Sequence, residues 1–125
     1  MTFPVSIKGV LLVDGKAVLV RNERVEWELP GGRLEIGETP EQALEREFAE
    51  ELAVKIEALR LIDSYLFEVF PGKHVFIVTY GCRLRDGFAP VLSEEHSEFG
   101  LFAPAELDAL KLPSGYAASV RKWAG

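Results

Sequence analysis

The sequence predicts one α+β domain in which helices pack on the faces of a mixed β-sheet. Its 125 residues are enough for one domain with a hydrophobic core of its own. Segments with the composition of strands outnumber segments with helical periodicity, and their order is not a plain βαβ alternation. We therefore expect a single domain over residues 1–125.

Turn signals locate the strands of the first half of the chain. Asp14-Gly15 separates two apolar runs in VSIKGVLLVDGKAVLVRN, which predicts a β-hairpin. The Pro-Gly-Gly run in WELPGG ends a further short strand, and we expect a loop over residues 31–38. Pro71-Gly72 joins two longer segments, rich in β-branched and aromatic residues, into a second hairpin.

A helix follows the glycine loop. Thr39 is the predicted N-cap, Pro40 takes the first helical position, and Gln42 completes a capping box. The helix is expected to run to about Leu52. Apolar residues recur in it every four positions and form one stripe: Leu44, Phe48 and Leu52.

The last third of the chain predicts one strand and two helices. LSEEHSEFG enters a strand that carries Leu101 and Phe102, and PAELDALK forms a short helix. Tyr116, Val120 and Trp123 have the spacing of one helix face and predict a terminal amphipathic helix.

Negative charge is concentrated in the first helix. The net charge is −6, and the segment 38–51 holds six glutamates against one arginine. Three of the six, Glu47, Glu50 and Glu51, fall on an arc of about 100° that borders the apolar stripe. Neighbouring like charges repel, so this cluster indicates a cation site, although charge runs are most often solvated surface. The chain shows no basic face of the kind that duplex nucleic acid requires.

The sequence gives no support for a membrane-spanning or a secreted protein. No apolar run approaches the ~20 residues that span a bilayer, and the N-terminus does not resemble a secretory signal. Cys82 is the only cysteine and is expected to be a buried apolar residue. We expect His74 and His96 to be surface or strand residues rather than ligands, and the protein to be cytoplasmic, with no membrane partner.

The glycine loop and the acidic helix together resemble the Nudix box of the Nudix hydrolases, a loop–helix–loop motif that binds metal and a diphosphate. The motif extends from Gly32 to Val54, and Ala53 stands where the family usually has glycine. The other eight of the nine specified positions match: Gly32, Glu38, Arg46, Glu47, Phe48, Glu50, Glu51 and Val54. WELPGG before the motif and EEHSEF after it also resemble this family, whose fold is an α/β/α sandwich.

The resemblance implies a bound Mg²⁺, which Mn²⁺ can replace. Carboxylates at i, i+3 and i+4 converge on one helix face, and hard cations prefer such oxygen ligands. The resemblance assigns metal binding to Glu47, Glu50 and Glu51, together with the Gly32 carbonyl. Glu38 resembles a structural or outer metal carboxylate, and Arg46 orients the carboxylates.

The implied reaction is hydrolysis of a nucleoside diphosphate linked to another moiety. A general base must take a proton from the attacking water. Glu51, Glu98 and Glu95 are the candidates, and Glu94 is a weaker one. Substrate contacts are expected at the glycine loop and near its mouth: Gly31, Gly32, Arg21 and Glu26.

Several substrates fit the motif, because its residues bind only the metal and the diphosphate. A nucleoside triphosphate, oxidised or not, cleaved to the monophosphate and pyrophosphate ranks first. A nucleotide sugar or ADP-ribose ranks second, and a silent nucleotide-binding module third. Silent relatives usually lose motif carboxylates, and this chain keeps them. A homodimer is expected only because relatives often form one.

Overall fold

The computed structural model describes residues 2–125, so Met1, the first residue of the predicted domain, lies outside the described residues. Residues 2–125 form seven strands, two α-helices and one 3₁₀ helix. The strands are β1 Val5–Val13, β2 Lys16–Arg21, β3 Trp27–Glu28, β4 Gly31–Arg33, β5 Ile56–Phe70, β6 Lys73–Leu84 and β7 Glu98–Phe102. The helices are α1 Pro40–Leu52, the 3₁₀ helix Pro104–Ala109 and α2 Ser114–Ala124.

The strands form a mixed sheet with the order β3-β2-β1-β6-β5, while β4 pairs with β1 and β7 with β2. Within residues 2–125, β1 and β6 pair in parallel and the other strand pairs are antiparallel. Asp14 and Gly15 form the turn between β1 and β2 with positive φ angles of 52° and 77°. Such angles suit the tight turn of a two-residue hairpin, as the sequence predicted.

One prediction about the glycine segment is wrong. Residues 31–33 were expected to lie in a loop, but they form β4, whose Gly32 pairs with Ile7 of β1. β3 does end before Pro30, yet the chain resumes pairing at Gly31 because β1 lies beside it. The short segment PAELDALK is helical as predicted, but it forms a 3₁₀ helix that ends at Ala109.

Two apolar clusters fill the two faces of the sheet. Alternate residues of β1 point to opposite faces. Ile7 and Leu11 pack under α1, whereas Val10 joins the cluster under α2. The predicted stripe of α1 is fully buried: Leu44, Phe48 and Leu52. The α/β/α sandwich expected from the sequence is thus confirmed, and each helix is oriented by its buried stripe.

Local signals define both ends of α1. The Thr39 side chain accepts a hydrogen bond from the Gln42 N–H, and the Gln42 side chain accepts one from the Thr39 N–H. At the other end, Ala53 takes a left-handed conformation with φ 54° and ψ 36°. The helix therefore ends where the sequence predicted, with an alanine in a backbone conformation that favours glycine.

No helix in residues 2–125 is both long and apolar enough to cross a membrane.

Candidate active site

Arg46 organises the acidic arc of α1. Its guanidinium donates to both carboxylate oxygens of Glu38, at 2.6 and 3.0 Å. It also donates to Glu47 at 2.8 Å and to Glu50 at 3.1 Å, and it reaches the carbonyl oxygen of Arg33. The hydrogen bond with Glu38 raises the pKa of Arg46, and the same bond lowers the pKa of the Glu38 carboxyl. One cation thus holds together carboxylates that would otherwise repel each other.

Glu51 is the buried member of the arc. Its side chain is only 5% exposed, and one of its oxygens accepts a hydrogen bond of 2.8 Å from the Gly31 N–H. Burial raises the pKa of Glu51 to about 7, although the charge of Lys8 and the hydrogen bond from Gly31 act in the opposite direction. The carboxylate is therefore held at a defined position between α1 and β4.

The two glycines of β4 permit this close approach. Gly31 has φ 144°, and a Cβ there would collide with the carbonyl oxygen of Ile7. A Cβ on Gly32 would collide with the carboxylate of Glu47. The backbone of β4 therefore lies directly against the acidic face of α1, which a side chain at either position would prevent.

A distant loop completes the acidic surface. The Val91 N–H donates to the carbonyl oxygen of Leu52, and the Ser93 N–H donates to that of Glu51. These bonds attach the loop to the C-terminal end of α1 and bring Glu95 to the helix. Five residues line the resulting recess of about 80 Å³: Glu47, Glu50, Glu51, Ser93 and Glu95.

A larger cleft of about 680 Å³ opens beside this recess. Six glutamates line it against two arginines and one histidine. The lining residues with ionisable side chains are Glu23, Arg24, Glu28, Arg33, Glu35, Glu47, Glu51, Glu95 and His96. A polyphosphate would be repelled by this surface unless cations lay between the two sets of negative charge.

The donor set fits a hard divalent cation by its chemistry. The recess offers carboxylate oxygens and a serine, with no thiolate or imidazole, and oxygen ligands suit Mg²⁺. In their present positions, no three Asp, Glu, His or Cys side chains of residues 2–125 enclose a metal site. Arg46 and the Gly31 N–H each bond to carboxylate oxygens of the arc.

Three of the residues predicted for substrate binding or as general base do not line the cleft: Arg21, Glu26 and Glu98. Glu98 is paired with Arg21 across strands β7 and β2, where the two residues are direct neighbours. Neither is among the residues that line the cleft or the recess. Glu26 forms an ion pair of 3.0 Å with Arg24 and lies at a smaller adjoining pocket. Of the distant candidates for general base, only Glu95 reaches the acidic arc.

His96 was expected to be a surface or strand residue, and that expectation is wrong. Its side chain is 7% exposed, and its Nε2 lies 3.2 Å from Glu28 Oε1 and 3.9 Å from Glu51. Burial alone would raise the pKa of Glu28, but the hydrogen bond with His96, the charge of Lys8 and a hydrogen bond from Asn22 lower it to about 2. No local signal indicates this pair, because Glu28 and His96 are 68 positions apart.

A second pocket of about 150 Å³ adjoins the cleft on the α2 side. The cleft and the pocket share Asn22, Arg24 and Glu28. Three aromatic residues are among those that line the pocket: Trp27, Phe67 and Tyr116. An aromatic pocket next to an acidic cleft offers separate surfaces for a flat ring and for a metal-bound phosphate chain.

Comparisons with known proteins bear on the family of the chain. The model of the NUDIX domain matches residues 3–123, which confirms the resemblance predicted from the sequence. An 8-oxo-dGTP diphosphatase of Proteus vulgaris is 46% identical over 57 residues, which are 42% of this chain and 50% of that protein. An 8-oxo-dGTP diphosphatase of Haemophilus influenzae is 42% identical over 86 residues, 62% of either chain.

The fold is shared with solved structures at lower identity. A NUDIX hydrolase from Nitrosomonas europaea superposes with a TM-score of 0.84 at 22% identity, covering 98% of this chain and 88% of that one. The aligned part of this chain spans only half to about three fifths of the two curated relatives' lengths.

Proposed function

Because this chain belongs to the NUDIX family, we propose that it is a divalent-cation-dependent pyrophosphohydrolase of nucleoside triphosphates. It would release the nucleoside monophosphate and pyrophosphate. The observation that carries the proposal is the acidic cleft, where the intact set of motif glutamates adjoins an aromatic pocket. The curated relatives named as 8-oxo-dGTP diphosphatases support a triphosphate as the substrate.

The charge of the cleft supports the cation requirement. A triphosphate brings about four negative charges to a lining of six glutamates and two arginines. Bound Mg²⁺ or Mn²⁺ would neutralise the phosphate oxygens and stabilise the charge that develops on them. The residues proposed to hold the cation are Glu47, Glu50 and Glu51, with the Gly32 carbonyl and Glu38 in supporting positions.

Side chains and backbone groups of the protein would then hold the carboxylates and the substrate in position for the reaction. Arg46 orients Glu47 and Glu50 through the hydrogen bonds described above. The Gly31 N–H holds Glu51 in the cleft. Glu95, at the exposed rim of the recess, is the proposed general base, because it lies beside the arc on a loop attached to α1. Arg33 in the cleft lining supplies a positive charge for the phosphate chain.

A substrate panel tests the proposal. Nucleoside triphosphates, 8-oxo-dGTP, nucleotide sugars, ADP-ribose and dinucleoside polyphosphates would each be incubated with Mg²⁺, with Mn²⁺ and with EDTA. Separation of the products by chromatography distinguishes pyrophosphate from orthophosphate release. We expect turnover of triphosphates that EDTA abolishes. Preferred turnover of ADP-ribose or a nucleotide sugar would overturn the substrate class, and binding without turnover would indicate a silent module.

Variants of the arc test the assignment of the site. Glu50→Gln and Glu51→Gln keep the side-chain shape and replace a carboxylate by an uncharged amide, so we expect kcat to fall at least about 100-fold with the fold intact. Glu41→Gln is the matched control, since Glu41 is an exposed glutamate in the first turn of the same helix. Near wild-type turnover of either arc variant would refute the assigned metal site.

A further inference from the structure

Lys8 is a buried cation that the proposed chemistry does not use. It lies in the middle of β1, opposite Gly31 of β4 and Thr79 of β6, and is 7% exposed. Among residues 2–125, no hydrogen bond or ion pair to its ammonium group is found. The nearest aromatic neighbour is Tyr116, whose ring centroid lies 5.8 Å from Nζ. Long side chains of this kind are almost never fully buried without a partner.

The surroundings keep Lys8 charged. Burial by itself would lower the pKa of its ammonium group, but the nearby acidic groups, Tyr116 first and then Glu28, Glu51 and Glu47, outweigh burial and raise the pKa. These charges act from a distance, since none of the carboxylates forms an ion pair with Lys8. The oxygens of Glu28 instead bond with His96 and Asn22. The ammonium therefore keeps hydrogen-bond donors to offer.

Lys8 lines the 150 Å³ pocket together with the aromatic residues. This volume is below the roughly 300–1,000 Å³ of a whole small-molecule site, so the pocket suits one part of a ligand. The rest of the ligand would extend into the 680 Å³ cleft through the shared border of Asn22, Arg24 and Glu28. With the phosphates at the glutamates of the cleft, the part that reaches the aromatic walls is the nucleobase, whose faces stack on aromatic side chains.

We infer that Lys8 determines base specificity by donating a hydrogen bond to the exocyclic oxygen at C6 of a purine or at C4 of a pyrimidine. An ammonium group has three donors and no acceptor. A 6-oxopurine or a 4-oxopyrimidine satisfies it, whereas the amino group of adenine or cytosine is itself a donor and leaves the buried charge unpaired. The protein therefore prefers keto bases to amino bases. This inference deepens the proposed function and rests on it for the identity of the ligand.

Pairs of nucleotides that carry a keto group in one member and an amino group in the other measure the preference for keto bases. The ratio of kcat/KM for ITP over ATP, and for UTP over CTP, would be determined for the wild type, Lys8→Met and Lys16→Met. We expect wild-type ratios of roughly tenfold to a hundredfold, as for a hydrogen bond to a charged group. Lys8→Met should bring both ratios near one. Lys16→Met, the same change at an exposed position of β2, should leave them as in the wild type.

A binding measurement without metal separates this inference from the proposed function. IMP and AMP would be titrated in EDTA against Trp123→Phe protein, in which Trp27 at the pocket wall is the remaining tryptophan reporter. Tighter binding of IMP that Lys8→Met abolishes would support the inference even if no triphosphate were hydrolysed. In that case the proposed function alone would fail.

Other outcomes would overturn the inference. If Lys8→Met lowered activity toward all four triphosphates equally, Lys8 would contact phosphate or serve the fold, and base selection would be excluded. Unchanged ratios in a folded variant would exclude it as well. Should Lys8→Met fail to fold, Lys8→Gln, which also removes the charge and keeps a polar end, takes its place in the same measurements.

Discussion

Replacement of Ala53 by glycine should stabilise the protein, because this alanine ends α1 in a left-handed conformation. Its φ of 54° and ψ of 36° cost an L-residue about 1–2 kcal/mol. Glycine adopts these angles without that strain but loses about 0.5–1 kcal/mol more conformational entropy on folding. The net expectation is a gain of about 0.5–1 kcal/mol in the free energy of unfolding.

Ala49→Gly is the matched control for this prediction. Ala49 is an exposed alanine of the same helix, one turn earlier, and Ala53 is exposed too. Within regular helix, the same substitution should lower the free energy of unfolding by about 1 kcal/mol. One chemical change should therefore have opposite signs at two positions four residues apart, and the backbone angle is the cause.

Thermal and urea unfolding followed by circular dichroism measure both variants. With an unfolding entropy of about 2.1 cal/mol/K per residue, Ala53→Gly should raise Tm by roughly 2–4 °C. Ala49→Gly should lower Tm by about 4 °C on the same basis. A drop in Tm for Ala53→Gly similar to that of the control would refute the assigned helix end.

Two further predictions concern the cleft. Glu95→Gln should lower kcat by about 100-fold or more, as for a general base, whereas Glu98→Gln should lower it far less, because that residue pairs with Arg21 away from the cleft. A larger kinetic loss for Glu98→Gln would restore it as the candidate base. Gly32→Ala should leave the protein folded by circular dichroism yet remove most turnover, since its methyl group displaces the Glu47 carboxylate. Full turnover of that variant would show that the position of Glu47 is not critical.

The sequence by itself determined the elements whose signals are local. The capping box of Thr39 and Gln42 and the Asp14-Gly15 turn act within a few residues, so each can be read without the rest of the chain. The arc of glutamates on α1 follows in the same way from helical periodicity. These features were sufficient to identify the family, because the motif is contained in one continuous segment, Gly32 to Val54.

Only the tertiary structure decided which distant residues meet this segment. β4 exists because β1 lies beside it, and neither the glycines nor their neighbours signal a strand. His96 and Glu95 reach the cleft because the loop before β7 is hydrogen-bonded to the end of α1. Lys8 alternates with apolar residues in a strand, and its burial depends on the approach of α2. Such contacts join residues far apart in the chain, and their energies depend on packing that no local pattern encodes.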